Sequence, residues 1–181
     1  MIFDEDNIIF KCQNGDAIAF SSIVEEYQQF VYNLAMKMLN DVGDAEDLVQ
    51  DVFVKVWNSI KLYSAEKSKF STWLFSITSR TCLDQLRKRK SIVTASGEQL
   101  SEYHNIQQSA ADKLEDRDAV RLIKTLSDSL TPTQKLVFVL RDLEGYEVSE
   151  VVAVSGLTEK QIKDNLYLAR KSIKAKMSKL F

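Results

Sequence analysis

Between Asp16 and Met38 the apolar residues Phe20, Ile23, Val24, Tyr27, Phe30, Val31, Leu34, Ala35 and Met38 recur every three or four positions. That spacing lines one face of an α-helix and does not match the strict alternation of a half-buried strand. After a turn at Asn40-Asp41-Val42-Gly43, a second stripe (Ala45, Leu48, Val49, Val52, Phe53, Val56, Trp57) predicts a helix from Asp44 to Asn58. Its opposite face carries Asp44, Asp47, Gln50, Asp51 and Lys55. A polar stretch leads to a third helix, from Ser71 to Lys90, with Trp73, Leu74, Ile77, Leu83 and Leu86 on its buried side. That helix ends in the cations Arg87, Lys88, Arg89 and Lys90. Five Gly and one Pro in 181 residues are too few for a sandwich or barrel, which reverses direction about every ten residues. The fold class is all-α.

Residues 91–117 lose the stripe and gain Ser, Gln and Asn, as a linker does. The expected division is a first domain at 1–91, a linker at 92–117 and a second domain at 118–181. In the second, a helix from Asp118 to Leu130 precedes Thr131, placed to cap the next helix, with Pro132 at its first position and Gln134 at the reciprocal capping position. That helix continues through Leu136, Val137, Val139 and Leu140 toward Gly145. A short helix, Val148 to Val154, a turn at Ser155-Gly156-Leu157 and a longer helix capped by Thr158 complete the chain. Short helix, glycine turn and longer helix form a helix-turn-helix pattern, although any αα-hairpin produces the same order. Charge favours DNA as its partner: from Lys160 to Lys179 there are seven basic residues and one acid, Asp164.

The distribution of charge sharpens this. Residues 1–70 hold 6 Lys/Arg against 12 Asp/Glu, whereas 71–90 hold 5 against 1 and 129–181 hold 9 against 6. Two basic segments on an otherwise acidic chain suit a protein that touches DNA in two places and another partner with its acidic parts. The acidic N-terminal segment and the lack of an eighteen-residue apolar run predict a cytoplasmic chain without membrane insertion. Cys12 and Cys82 stand alone and are expected to be buried, reduced thiols. One His, at position 104 in the linker, no glycine-rich phosphate loop and no metal-spaced ligands predict no enzyme, no cofactor and no metal.

Several motifs stand in register. They are Asp44-Ala45-Glu46-Asp47-Leu48-Val49-Gln50-Asp51-Val52-Phe53, Phe70-Ser71-Thr72-Trp73-Leu74-Phe75 and Asp84-Gln85-Leu86-Arg87-Lys88-Arg89-Lys90. Farther on come Leu130-Thr131-Pro132, Leu140-Arg141-Asp142-Leu143-Glu144-Gly145, Glu150-Val151 and Ala169-Arg170-Lys171-Ser172-Ile173. In this order they resemble the extracytoplasmic-function (ECF) group of the sigma-70 family over almost the whole chain. The resemblance implies sigma region two in the first domain and region four in the second. It further implies an alternative-sigma initiation factor whose partners are bacterial core RNA polymerase, promoter DNA and an anti-sigma factor.

Each motif then acquires a role by resemblance. Asp44, Asp47, Gln50 and Asp51 would dock on the clamp helices of the polymerase β′ subunit, and the second domain on the β flap. Carboxylates at the helix start also complement its dipole, but Asp51 lies too far along to benefit. Phe70, Trp73, Arg80, Asp84, Arg87, Lys88, Arg89 and Lys90 would serve the minus-ten element, with Phe70, Trp73 and Phe75 as walls for an unstacked base and the terminal cations on phosphates. Trp73 also falls on the buried stripe, so a core role stands beside that one. Lys160, Gln161, Lys163, Asp164, Asn165, Tyr167, Arg170 and Lys171 would serve the minus-thirty-five element, Gln161 and Asn165 having the chemistry to pair with adenine and Lys163 with guanine, although Gln161 also stands at the capping position opposite Thr158. Three positions depart from the family: Arg80 for the common Asn, Val152 for Ala, and Glu147 for a Ser/Thr cap. A stand-alone helix-turn-helix regulator is the alternative, distinguished by binding duplex tightly without polymerase.

Overall fold

The computed structural model describes residues 4–96 and 126–180. Among them are seven α-helices and no strand. The first helix, α1 (Glu5–Gln13), was not expected. The Asp4 carboxylate caps it by accepting from the Asn7 N–H (3.3 Å), and Ile9 and Cys12 are buried. The Gln13 amide donates to the carbonyls of Ile60 and Tyr63 at 3.0 Å each, and the Tyr27 hydroxyl donates to Glu5. These bonds tie α1 to the body of the domain.

The next helix, α2 (Ala17–Leu39), starts at Asp16, whose carboxylate accepts from the N–H groups of Ile18 and Ala19. It stops at Asn40, which takes the left-handed conformation (φ 57°) that Asn tolerates better than most side chains. Helix α3 (Val42–Ser59) then begins two residues before Asp44. The Asp41 carboxylate accepts from the Asp44 N–H (2.9 Å), so part of the expected turn is already helix. A 3-10 turn, Ile60–Leu62, closes it.

Helix α4 spans Phe70–Ser96 and so continues beyond Lys90 into the expected linker. No Gly or Pro interrupts it before Gly97. An edge-to-face aromatic seam packs these helices together, Phe20 against Phe53 and Trp57, and Phe30 against Phe75. Cys12 and Cys82 are both free and buried, and burial pushes the Cys82 thiol up to about 12.

The expected linker beyond Ser96 and most of the helix expected at 118–130 lie outside the described residues. Leu126 and Ser127 are helical, and Leu130 leads into the Thr131 cap. Thr131 and Gln134 make the reciprocal capping box that their spacing predicts, with Pro132 opening α5 (Pro132–Phe138). The helix does not run on regularly toward Gly145: Val139–Leu143 form a wider π turn. Helix α6 (Val148–Ser155) ends at Gly156 with φ 71°, and α7 spans Glu159–Leu180. Glu147 precedes α6, and its N–H donates to the Glu150 carboxylate at 2.7 Å. Val152 is half-buried against the core.

The later helices pack on the earlier ones. Tyr146 stacks at a tilt on Phe75 of α4 (5.2 Å between centroids), Asn40 donates to Asp128 (2.6 Å), and Lys37 pairs with Glu144.

Candidate polymerase and nucleic-acid interfaces

The stripe that buries Ala45, Leu48, Val52 and Val56 turns the other side of α3 outward. Asp47, Gln50 and Asp51 are exposed there, as expected from the sequence. Val54 shares this side and is 59% exposed, a site that polarity-based reasoning passed over. An apolar side chain ringed by Gln50, Asp51 and Lys55 has the layout of a small protein interface, dry at the centre and polar at the rim. Asp44 is less accessible. It is ion-paired with Arg89 of α4, which also donates to the Leu39 carbonyl at 3.1 Å. Burial lowers the Arg89 pKa, partly countered by the nearby Asp41 and Asp128. Arg89, expected on phosphate, is thus engaged by partners within the domain, although about a third of its side chain stays exposed. Arg87, Lys88 and Lys90 are exposed, Arg87 lying 3.5 Å from Asp84.

Between the end of α3 and the middle of α4 runs an open cleft of about 370 Å³, lined by Lys55, Asn58, Ser59, Ile77, Arg80, Thr81 and Asp84. Arg80 and Asp84 are expected site residues; Lys55, Asn58 and Ser59 come from α3, where the sequence places Lys55 on the polar face without a role and marks neither Asn58 nor Ser59. The Lys55 ammonium donates to the Thr81 hydroxyl at 3.0 Å, which itself donates to the Ile77 carbonyl. A pinned ammonium, a guanidinium and a carboxylate therefore surround an apolar floor. The expected walls lie elsewhere. Phe70 is wholly buried, Phe75 is 4% exposed, and Trp73 is half-buried in an aromatic cluster with Tyr63 and Phe70. These rings shape the loop and helix from behind the surface.

On α7 the structure sorts the expected readers. The Gln161 carbonyl oxygen accepts from the Thr158 N–H (2.9 Å) and the Thr158 hydroxyl caps the Gln161 N–H (3.3 Å), so Gln161 is committed to the helix start. The Asn165 amide donates one N–H to the Gln161 backbone carbonyl at 2.7 Å, leaving its second N–H and its oxygen uncommitted there. Lys163 lies 3.5 Å from Glu159. Arg170 forms a two-pronged pair with Asp142, donating from Nε at 2.9 Å and from Nη2 at 2.6 Å. That bonding holds the guanidinium pKa above its usual value. Lys160, Asp164, Tyr167 and Lys171 are exposed.

This arrangement defines a class: a helical protein with a polar, cation-lined cleft on one group of helices and a basic helix-turn-helix on the other. Residues 23–92 match the family model for sigma-70 region 2, and residues 121–173 that for sigma-70 region 4, together about two thirds of the chain. The chain belongs to the sigma-70 family, in its ECF group, and is an alternative sigma factor. It is 27% identical to the ECF RNA polymerase sigma factor SigW of Bacillus subtilis, over 95% of this chain and 96% of that one. Identity to the ECF RNA polymerase sigma-E factor of Escherichia coli K12 is 26%, over 96% and 94% respectively.

Among solved structures, the sigma factor RpoE in complex with the anti-sigma factor NepR from Bartonella quintana shares the fold. The TM-score is 0.66 at 23% identity, covering 88% of this chain and 96% of that one. CnrH in complex with the cytosolic domain of CnrY aligns with a TM-score of 0.63 at 20% identity, over 94% and 95%. No helix among the described residues is long and apolar enough to cross a membrane.

Proposed function

We propose that this chain works in the cytoplasm through three surfaces, which divide between a promoter-melting domain at 1–91 and an upstream-element domain at 118–181. The exposed side of α3, with Asp47, Gln50, Asp51 and Val54, docks on the clamp helices of core RNA polymerase. The cleft between α3 and α4 takes an unstacked nucleotide of the minus-ten element, and α7 enters the major groove at the minus-thirty-five element. The cleft is the observation that carries this reading. Lys55 and Arg80 sit beside an apolar floor, so one site can hold both a phosphate and a base face, as capture of single-stranded nucleic acid requires. Asp84 at its edge supplies an acceptor for base donors.

Promoter opening on this model is binding work: energy comes from holding the displaced base, and the chemistry stays in the polymerase. An anti-sigma factor is a further partner on this reading, supported by the fold shared with a sigma factor solved in such a complex.

The test uses the full chain with purified core polymerase and genomic promoter fragments. The holoenzyme should retain specific fragments and open them, detected by permanganate reactivity of unpaired thymines, while the chain alone retains few. Arg80→Ala should cut opening several-fold with duplex retention preserved. Tight, specific duplex binding by the chain without polymerase would overturn the reading in favour of a stand-alone regulator.

A further inference from the structure

Helix α7 divides cleanly into two sides. Ile162, Leu166, Ala169 and Ile173 face the core, while Lys160, Asp164, Tyr167 and Lys171 follow one another along the opposite side, all exposed. Gln161, Asn165 and Arg170 flank that stripe, but each spends donors or acceptors within the protein. The stripe and its exposed neighbour Lys163 therefore carry most of what the start of this helix can read. Asp164 is its anomaly. It is the only acid from Lys160 to the end of the chain, and among the described residues it makes no ion pair and no side-chain hydrogen bond.

A carboxylate on the face turned to DNA lowers affinity by repelling phosphates. The repulsion is least at the floor of the groove, midway between the strands, and only a base edge that donates a hydrogen bond offsets it there. An ionised carboxylate accepts and cannot donate. Guanine shows the acceptors O6 and N7 in the major groove and thymine shows O4, so both are repelled. Adenine pairs a donor with an adjacent acceptor. Cytosine alone presents its N4 amino group with no acceptor beside it.

We propose that Asp164 is a specificity-determining residue that fixes a cytosine at one position of the upstream promoter element. The proposal rests on the reading of α7 as the major-groove helix. Lys160, one turn before, and Lys171, two turns after, supply the positive charge that keeps the carboxylate tolerable near phosphates. Tyr167, on the next turn, covers the adjoining base pair with its ring.

The experiment assembles holoenzyme from core polymerase and the full chain, as wild type, Asp164→Asn or Asp164→Ala. Each is presented with promoter duplexes randomised across the upstream element, and the bound fraction is sequenced. Wild type should enrich cytosine over guanine or thymine at one position by roughly fivefold to a hundredfold, the range for a single good base contact. Asp164→Ala should erase that preference and leave the other positions as they were. Asp164→Asn should move it toward adenine, whose donor and acceptor an amide matches. Identical profiles in all three proteins would overturn the proposal, as would a uniform change at every position, which would mark Asp164 as a general charge. If wild-type holoenzyme enriches no upstream sequence at all, the reading of α7 itself fails. A motif that ignores Asp164 leaves that reading standing and removes only this residue.

Discussion

Arg89 near the end of α4 binds Asp44 in the first turn of α3 and reaches the last carbonyl of α2, at Leu39. One guanidinium thus joins three helices at one end of the bundle. Both charged partners are about a third exposed, so solvent screens part of the attraction. Arg89→Ala should cost about 1 kcal/mol, the low end for a bond to a charged group at a partly screened site. Lys88→Ala, on an exposed neighbour, should change stability by less than about 0.5 kcal/mol. Urea midpoints of the two variants check this. Equal midpoints would mean that the joint contributes nothing to folding.

Arg170 and Asp142 offer a second test of paired function. Arg170→Ala and Asp142→Ala should each destabilise by about 0.5 to 1 kcal/mol, and the double variant by little more than either alone. Additive losses in thermal or urea unfolding would show that each residue acts separately.

The outward side of α3 can be challenged without touching the core. Asp47→Lys combined with Asp51→Lys should weaken capture by core polymerase about tenfold or more, and Val54→Ala should weaken it less. Circular dichroism should be unchanged, since all three side chains are exposed. Undiminished affinity in a titration against core polymerase would take this face out of the interface.

Buried Cys82 predicts an alkaline weakness. Its thiol ionises near 12 when folded, against 9.0 for the ordinary group, so the native state keeps a proton that the unfolded chain releases sooner. Its contribution is constant below the unfolded pKa and declines as pH rises from there toward the folded pKa. At pH 10 the loss from this one group is on the order of 1 kcal/mol, and Cys82→Ala should flatten that part of the stability profile. The same burial should keep the thiol unreactive toward alkylating reagents until the domain opens; rapid modification of native protein would contradict it.

Periodicity made α2, α3 and α4 legible, because each repeats its apolar spacing over several turns, while α7 was legible from the Gly156 turn and the Thr158 cap. Helix α1 escaped because Ile9 and Cys12 give a single repeat in nine residues. Its stability comes from Gln13 and Tyr27 reaching partners far away in sequence, a relation no local pattern reports. The same limit applied at the sites. Residue type marked Arg80, Asp84 and the acids of α3 as surface groups, and they are exposed with the exception of the half-buried Asp44. It could not reveal that Lys55, Asn58 and Ser59 complete the cleft, nor that Arg89 and Arg170 are engaged within the protein, whereas the Thr158–Gln161 spacing did announce the cap that occupies Gln161. Phe70 looked like a base wall because aromatic character alone does not distinguish a surface ring from a buried one.

The π turn at Val139–Leu143 gives that stretch a residue to spare. A π turn accommodates one residue more than an α turn, so a one-residue deletion there relaxes into a regular α turn. The segments before and after keep nearly the same orientation, because a π turn and an α turn each go about once around the axis. Tyr146, beyond the turn, would stay against Phe75, whereas the same deletion inside the regular helix α7 would rotate everything after it by about 100°. A gap of one position in related chains would therefore be absorbed at Val139–Leu143 and felt throughout α7.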